Sequence, residues 1–308
     1  MQPPLLFRRK REPITRHFRL YQHKEAIPIK KIILVFLLLL CLLAAGCAPQ
    51  TEQPIPVLPF EEEETCGPGV PYTITCRIIT GAESGNLLLA EHGDAGSGVY
   101  TLSTSVLPDG TLPDQPLQDG QLIRVYYGAF AESWPMQFGG VTAIEIVDGG
   151  MDDRCALYLR VLEDLWEKDS GLNGGVEVIG VDLSQTSLSP SEQSAVAWAF
   201  AGNHEANLAE GSLEDLTEQG YITATPLSST GSGADLNDPK YYFYAWENGC
   251  HFSITEQPME GTYSLTPVTF EAQKWRSSLG AYFFSNCTAV QSALGKWSDY
   301  TIGSEMIS

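Results

Sequence analysis

Basic residues are scarce in this chain of 308: 18 Lys and Arg stand against 38 Asp and Glu. Half of those 18 precede residue 47, so from Cys47 onward nine basic residues face 36 acidic ones. Such a surface lacks the counter-charges that phosphate backbones require, which excludes nucleic acid as a partner. Catalytic signatures are missing as well. There is no G-x-S-x-G elbow, no phosphate-binding loop and no dinucleotide-binding glycine pattern. His204-Glu205 opens like a zinc-protease helix motif, but Leu208 stands where the second His would be needed. Asp235 to Lys240 alternates oxygen-bearing residues without the glycine and distal glutamate of a calcium loop. No C-x-x-C pair or Cys/His spacing points to zinc or redox chemistry, so neither a metal nor a cofactor is expected. The longest apolar run, Ile32 to Ala45, has 14 residues, short of the roughly 20 that span a bilayer.

What is present at the start is an address. Nine Lys and Arg between Arg8 and Lys31 precede the apolar run, and a polar "APQTEQ" follows it. That order is a basic n-region followed by the h-region of a signal peptide. Ala44, Ala45 and Gly46 then lead into Cys47, which resembles the lipobox of bacterial lipoproteins, with the usual leucine at Leu43. The resemblance implies cleavage before Cys47 and lipidation of its thiol, palmitate included. The product would be held at the cell membrane by its lipid, facing the extracellular side. Residues 47–65, with four prolines and Glu61 to Glu64 in a row, compose a stiff, self-repelling tether.

Residues 66–149 read as strands throughout: "YTITCRIIT", "NLLLAE", "GVYTLST", "QLIRVYY" and "VTAIEIV", parted by Gly, Asp, Pro and Ser. Five short strands without a helix predict a small all-β barrel. The segment "LIRVYYGAFAESWPMQFGGVTAIEIV", Leu122 to Val147, resembles an uncharacterised YobA-like domain family of lipoproteins from low-GC Gram-positive bacteria. Members carry a Glu-Ser/Thr-Tyr-Pro-Ala turn, where this chain has Glu132, Ser133, Trp134, Pro135 and Met136. The resemblance implies a barrel of the OB kind and brings no catalytic residue with it.

Residues 151–308 change character and predict an α+β domain with an antiparallel sheet and three to four helices. Cys155, Tyr158, Leu159, Leu162, Leu165 and Trp166 share one face at helical spacing, Cys155 being a small core residue. Ser189, Pro190 and Glu192 form a capping box before a nearly all-apolar, hence buried, helix. Ser212 caps a shorter one that stops at Gly220, and Glu271 to Ser278 reads as helical. In "YYFYAWENGCHFSIT", Asn248-Gly249 predicts a type I' hairpin with Trp246 facing His251. The tail is similar to uncharacterised exported proteins of gut anaerobes, which implies no mechanism.

Among the cysteines, Cys66 with Cys76 and Cys250 with Cys287 are candidate disulfides of an exported chain. The only candidate ligand platform is the hairpin face with Tyr242, Tyr244, Trp246 and His251, unless a helix covers it. The composite expectation is a cell-surface lipoprotein acting as a non-enzymatic binding or interaction module for an envelope glycan, peptide or protein. The alternative is an envelope hydrolase of glycan or peptide whose two carboxylates no linear motif reveals.

Overall fold

The computed structural model describes residues 71–93, 96–227, 242–257 and 267–308. The signal segment, Cys47, the tether, Cys66 and the Asp235 to Lys240 stretch lie outside the described residues. No helix among the described residues is long and apolar enough to cross a membrane.

The first sheet has seven strands: β1 (Tyr72–Thr80), β2 (Asn86–Glu91), β3 (Val99–Ser103), β4 (Leu122–Tyr127), β5 (Ala129–Ala131), β6 (Met136–Gly139) and β7 (Ala143–Ile146). Their order is β5-β6-β3-β2-β1-β4-β7, an open path of seven strands rather than five, so the segment is all-β as expected but forms no closed barrel. Strands β5 and β6 escaped sequence reading because "AFA" and "MQFG" are too short to show alternation. All pairs are antiparallel except β3 with β6. The run "NLLLAE" is continuously apolar because both faces of β2 are covered. Leu87 and Leu89 point into one core with Cys76, Ile78 and Ile123, whereas Leu88 and Ala90 point into another that includes the helices.

The second sheet contains β8 (Val178–Gln185), β9 (Asn207–Glu210), β10 (Thr223–Pro226), β11 (Tyr242–Ala245), β12 (Gly249–Glu256), β13 (Pro267–Ser277), β14 (Gly280–Val290) and β15 (Ser304–Ile307). The path runs β10-β11-β13-β12-β8-β9, with β14 and β15 added beyond β13. This sheet is mixed rather than antiparallel, since β8 lies parallel to both β12 and β9. The parallel step from β8 to β9 is a crossover through helix α2 (Pro190–Asn203).

Helices α1 (Arg154–Glu167) and α2 lie between the sheets, and α3 (Leu213–Glu218) covers the far face of the second. Helix α2 packs on β1, β2 and β3 on one side and on β8 and β9 on the other. A helix covered from two sides must be apolar nearly all round, as "AVAWAFA" is. Its start is the expected capping box: the Ser189 side chain accepts from the Glu192 N–H, and Glu192 accepts from the Ser189 N–H at 2.9 Å. Cys155 is buried on α1 as expected.

Three further expectations are corrected. Glu271 to Ser278 belongs to β13, because its burial alternates (Val268, Phe270, Ala272, Lys274) between two neighbouring strands that outweigh helical propensity. Asn248-Gly249 does not reverse the chain. Strands β11 and β12 both run antiparallel to β13, with Ala245 opposite Ser277 and His251 opposite Trp275. Five residues, Trp246 to Cys250, therefore stand against Arg276. The Trp246 N–H donates to the Arg276 carbonyl at 2.8 Å, Glu247 and Asn248 turn, and Gly249 already pairs with Val178 of β8, while neither Asn248 nor Gly249 has the positive φ of a type I' turn. Finally, Cys250 and Cys287 are free and buried. Cys287 faces Phe270 while Cys250 lies beyond the His251–Trp275 pair, roughly 20 Å apart along β13 by strand rise, too far for a disulfide. Burial pushes both thiols up to about 12. Cys76 is also a free buried thiol, in a core of the first sheet.

Candidate ligand groove

The sequence-predicted platform divides in two. Trp246 and His251 are buried, at 1% and 2% exposure, beneath Leu216 of α3 and Ile222. Gly249 and Gly180 make room for the indole: a Cβ on Gly249 would sit 2.0 Å from Trp246, and one on Gly180 2.7 Å away. His251 Nε2 is 3.0 Å from the Gly211 carbonyl, and burial lowers its pKa. Tyr242 and Tyr244 are only half-buried, with ring centroids 6.4 Å apart. The four residues therefore form no common surface, and α3, rather than the first helix of the segment, is what covers Trp246 and His251.

His204 closes α2 as its C-cap, stacks on Trp166 at 4.0 Å and meets Glu163 through Nε2 at 2.8 Å. Among the described residues no cluster of His, Cys, Asp and Glu could hold a metal ion. Among the described carboxyl groups, Asp119 alone is held above its ordinary range, by burial, with the Ala82 N–H opposing the effect. It shares a shallow cleft of about 390 Å³ with Glu163 and His204. Glu163 there accepts from Asn203 at 2.8 Å.

A wider space lies elsewhere. A groove of about 820 Å³ runs between β2, β3 and β6 on one wall and α2 on the other, within the range of small-molecule sites. Val106, Leu107 and Phe138 supply apolar surface, Asn86, Ser103 and Gln137 polar groups, and none of its lining residues is charged. Phe138 is held from behind by Tyr100, stacked at 4.7 Å, and Tyr127, edge-on at 5.1 Å. Trp198, half-buried on α2, closes one end together with Gly202. Beyond these two residues a second space of about 440 Å³ continues toward Trp134, which is 55% exposed. Trp198 escaped sequence reading because it lies in a helix whose apolar run spells burial. Trp134 stands in the turn that carries the family resemblance, so its position, though not its role, was visible.

No family model, curated protein or solved structure matches this chain.

Proposed function

We propose that this protein is a non-enzymatic binding lipoprotein of the bacterial cell surface, anchored through a lipid on Cys47, with the groove beside Trp198 as its ligand seat. The uncharged groove carries the proposal: a strongly acidic chain has a sizeable concave surface on which none of its charges falls. Two features support an OB-like topology for the first sheet. Strand β3 pairs in parallel with β6, and β4 continues into β5 with only Gly128 between, so β4 and β5 are one bent strand contacting both ends of the path. The acidic surface argues against nucleic acid.

The test is thermal melting of the full-length protein in detergent against neutral glycan, peptide and lipid fractions of an envelope extract. A ligand at a hundredfold its Kd adds about 2.7 kcal/mol, so one fraction raises Tm for wild type but not for Trp198→Ala. No shift with any fraction overturns the binding proposal. Anchoring is tested separately: wild type partitions with membranes, and Cys47→Ala accumulates as a heavier, uncleaved precursor. Release of full-length wild type into the medium overturns it.

Hydrolysis remains a second proposal because of Asp119 and Glu163. Asp119, whose carboxyl burial holds above its ordinary range, lines the same cleft as Glu163, and two carboxyl groups facing one cleft are what a glycosidase requires. Release of labelled fragments from envelope glycan, lost in both Asp119→Asn and Glu163→Gln, would replace the non-enzymatic proposal.

A further inference from the structure

We infer that the groove takes a neutral glycan chain, laid past Trp198 toward Trp134, an inference that rests on the binding proposal and names its ligand class. Gly202 is the first observation. It lies within α2, one turn after Trp198, so the two share a face of the helix. A Cβ added there would meet nothing within 4 Å, and its φ is not in the left-handed region. Glycine disfavours a helix relative to alanine, and here neither packing nor backbone conformation asks for it. What it does is keep open the passage between the two spaces, since Gly202 and Trp198 line both.

Charge is the second observation. The 820 Å³ groove has no ionic group, and the smaller space has only Glu210, which already accepts from Ser194 at 2.8 Å. A phosphorylated or sulfated ligand would lose its hydration there without meeting a counter-charge, and a lysine-rich one would meet only Glu210, outside the larger groove. An uncharged ligand with both apolar and hydroxyl faces matches the lining. The ring of Trp198 offers a flat apolar contact, and the Asn86 and Gln137 amides with the Ser103 hydroxyl offer donors and acceptors.

Strand pairing separates glycan from peptide. Extended peptides bind by adding to a free sheet edge, yet β2, β3 and β6 are interior strands, each paired on both sides. Because β3 and β6 pair over Tyr100–Thr101 and Met136–Gln137, β3 runs on past that pairing for only its last two residues, too short a row to seat an extended peptide, and side chains must supply the recognition.

The test titrates full-length protein in detergent, following tryptophan fluorescence, with a panel of neutral hexasaccharides that includes the β-linked N-acetylglucosamine hexamer. A sulfated polysaccharide and neutral hexapeptides of Ala, Gly and Ser form the comparison arms. At least one neutral hexasaccharide is expected to give a saturable change that hardly varies between about 50 and about 500 mM salt. Trp198→Ala and Gly202→Leu each weaken it about tenfold or more, the scale of a buried anchor contact. Gly202→Leu is expected to melt no lower than wild type, since its Cβ meets nothing within 4 Å and leucine favours a helix over glycine, and melting measured beside the titration separates lost binding from misfolding. Trp134→Ala, on an exposed turn, weakens binding less. Binding of the peptides or the sulfated polymer without any neutral glycan overturns the glycan inference and leaves the binding proposal standing. Wild-type affinity in Gly202→Leu overturns the location, and silence in every arm removes both.

Discussion

Trp246 is the residue whose role changed most between sequence and structure. Its alternation with Tyr242 and Tyr244 allowed either a stacking surface or a core, and 1% exposure over Gly180 and Gly249 makes it core. Trp246→Ala is therefore expected to cost about 3 to 5 kcal/mol in urea unfolding. A variant that melts like wild type would mean the indole is not packed. Its neighbour His251 has a pKa lowered from 6.5 by burial, so only the unfolded chain takes up a proton as pH first falls below that value. Stability is then complete above about pH 6.5 and declines as pH falls through the window beneath it. His251→Gln, which keeps a donor for the Gly211 carbonyl but cannot titrate, should flatten the slope measured between about pH 7.5 and 5.5. An unchanged slope would place the titration elsewhere. Glu192 does not confuse this window. Burial opposes its charge, but the Ser189 N–H and Arg77 outweigh it and hold its pKa below 4.5, so its contribution is lost only in stronger acid.

At the scale of elements, one buried lysine ends a helix. Lys274 on β13 has no exposed surface and donates to the carbonyls of Trp166, Lys168 and Asp169 at 2.9, 2.6 and 3.4 Å, at the C-terminus of α1. A cation at those carbonyls meets the negative end of the helix. Lys274→Met should cost about 3 kcal/mol, because it strands buried acceptors, and hydrogen exchange should quicken in the last turn of α1. This lysine also shows why β13 was misread. "EAQKWRS" carries helix formers, and what fixes it as a strand is the pairing of β12 and β14 on its two sides, which a local window does not contain. Elements whose signals are local were legible. The capping box at Ser189 and the cap at Ser212 are built as the sequence indicates, the second completed to a box by Asp215. Asn248-Gly249 failed for a related reason. Hairpin propensity was overruled once Trp246 needed Gly249 beneath its ring, which drew Gly249 into the sheet beside Val178 of β8. The groove was illegible because its walls come from residues as far apart as Asn86 and Trp198.

At the scale of the molecule, the boundary near Gly149 separates compositions but not cores. The described residues belong to one compact unit, and Ile79, Leu88, Ala90 and Val99 of the first sheet pack in the same core as Leu162, Phe200 and Phe252. Arg77 fastens the two parts. Its Nε donates to Glu192 at 2.6 Å and its Nη1 to the carbonyls of Gly120 and Gly150 at 2.9 and 2.8 Å. Both members of the ion pair are mostly buried, so Arg77→Ala, which abandons Glu192, is expected to cost about 3 to 5 kcal/mol. Unfolding followed by far-ultraviolet dichroism and by tryptophan fluorescence should give one coincident transition. Two separated transitions would show that the sheets fold independently.

The position of α2 also sets a schedule for synthesis. Strand β2 ends at Glu91 and α2 begins at Pro190, so about 100 residues must emerge before Leu88 and Ala90 meet the helix that covers them. At ribosomal rates of about 5 to 20 residues per second, the first sheet waits roughly 5 to 20 seconds with one apolar face uncovered. During that interval Leu88 and Ala90 have no covering helix to meet. A fragment ended near Gly149 would remain in that state permanently, and should be recovered as aggregate or as prey of proteases.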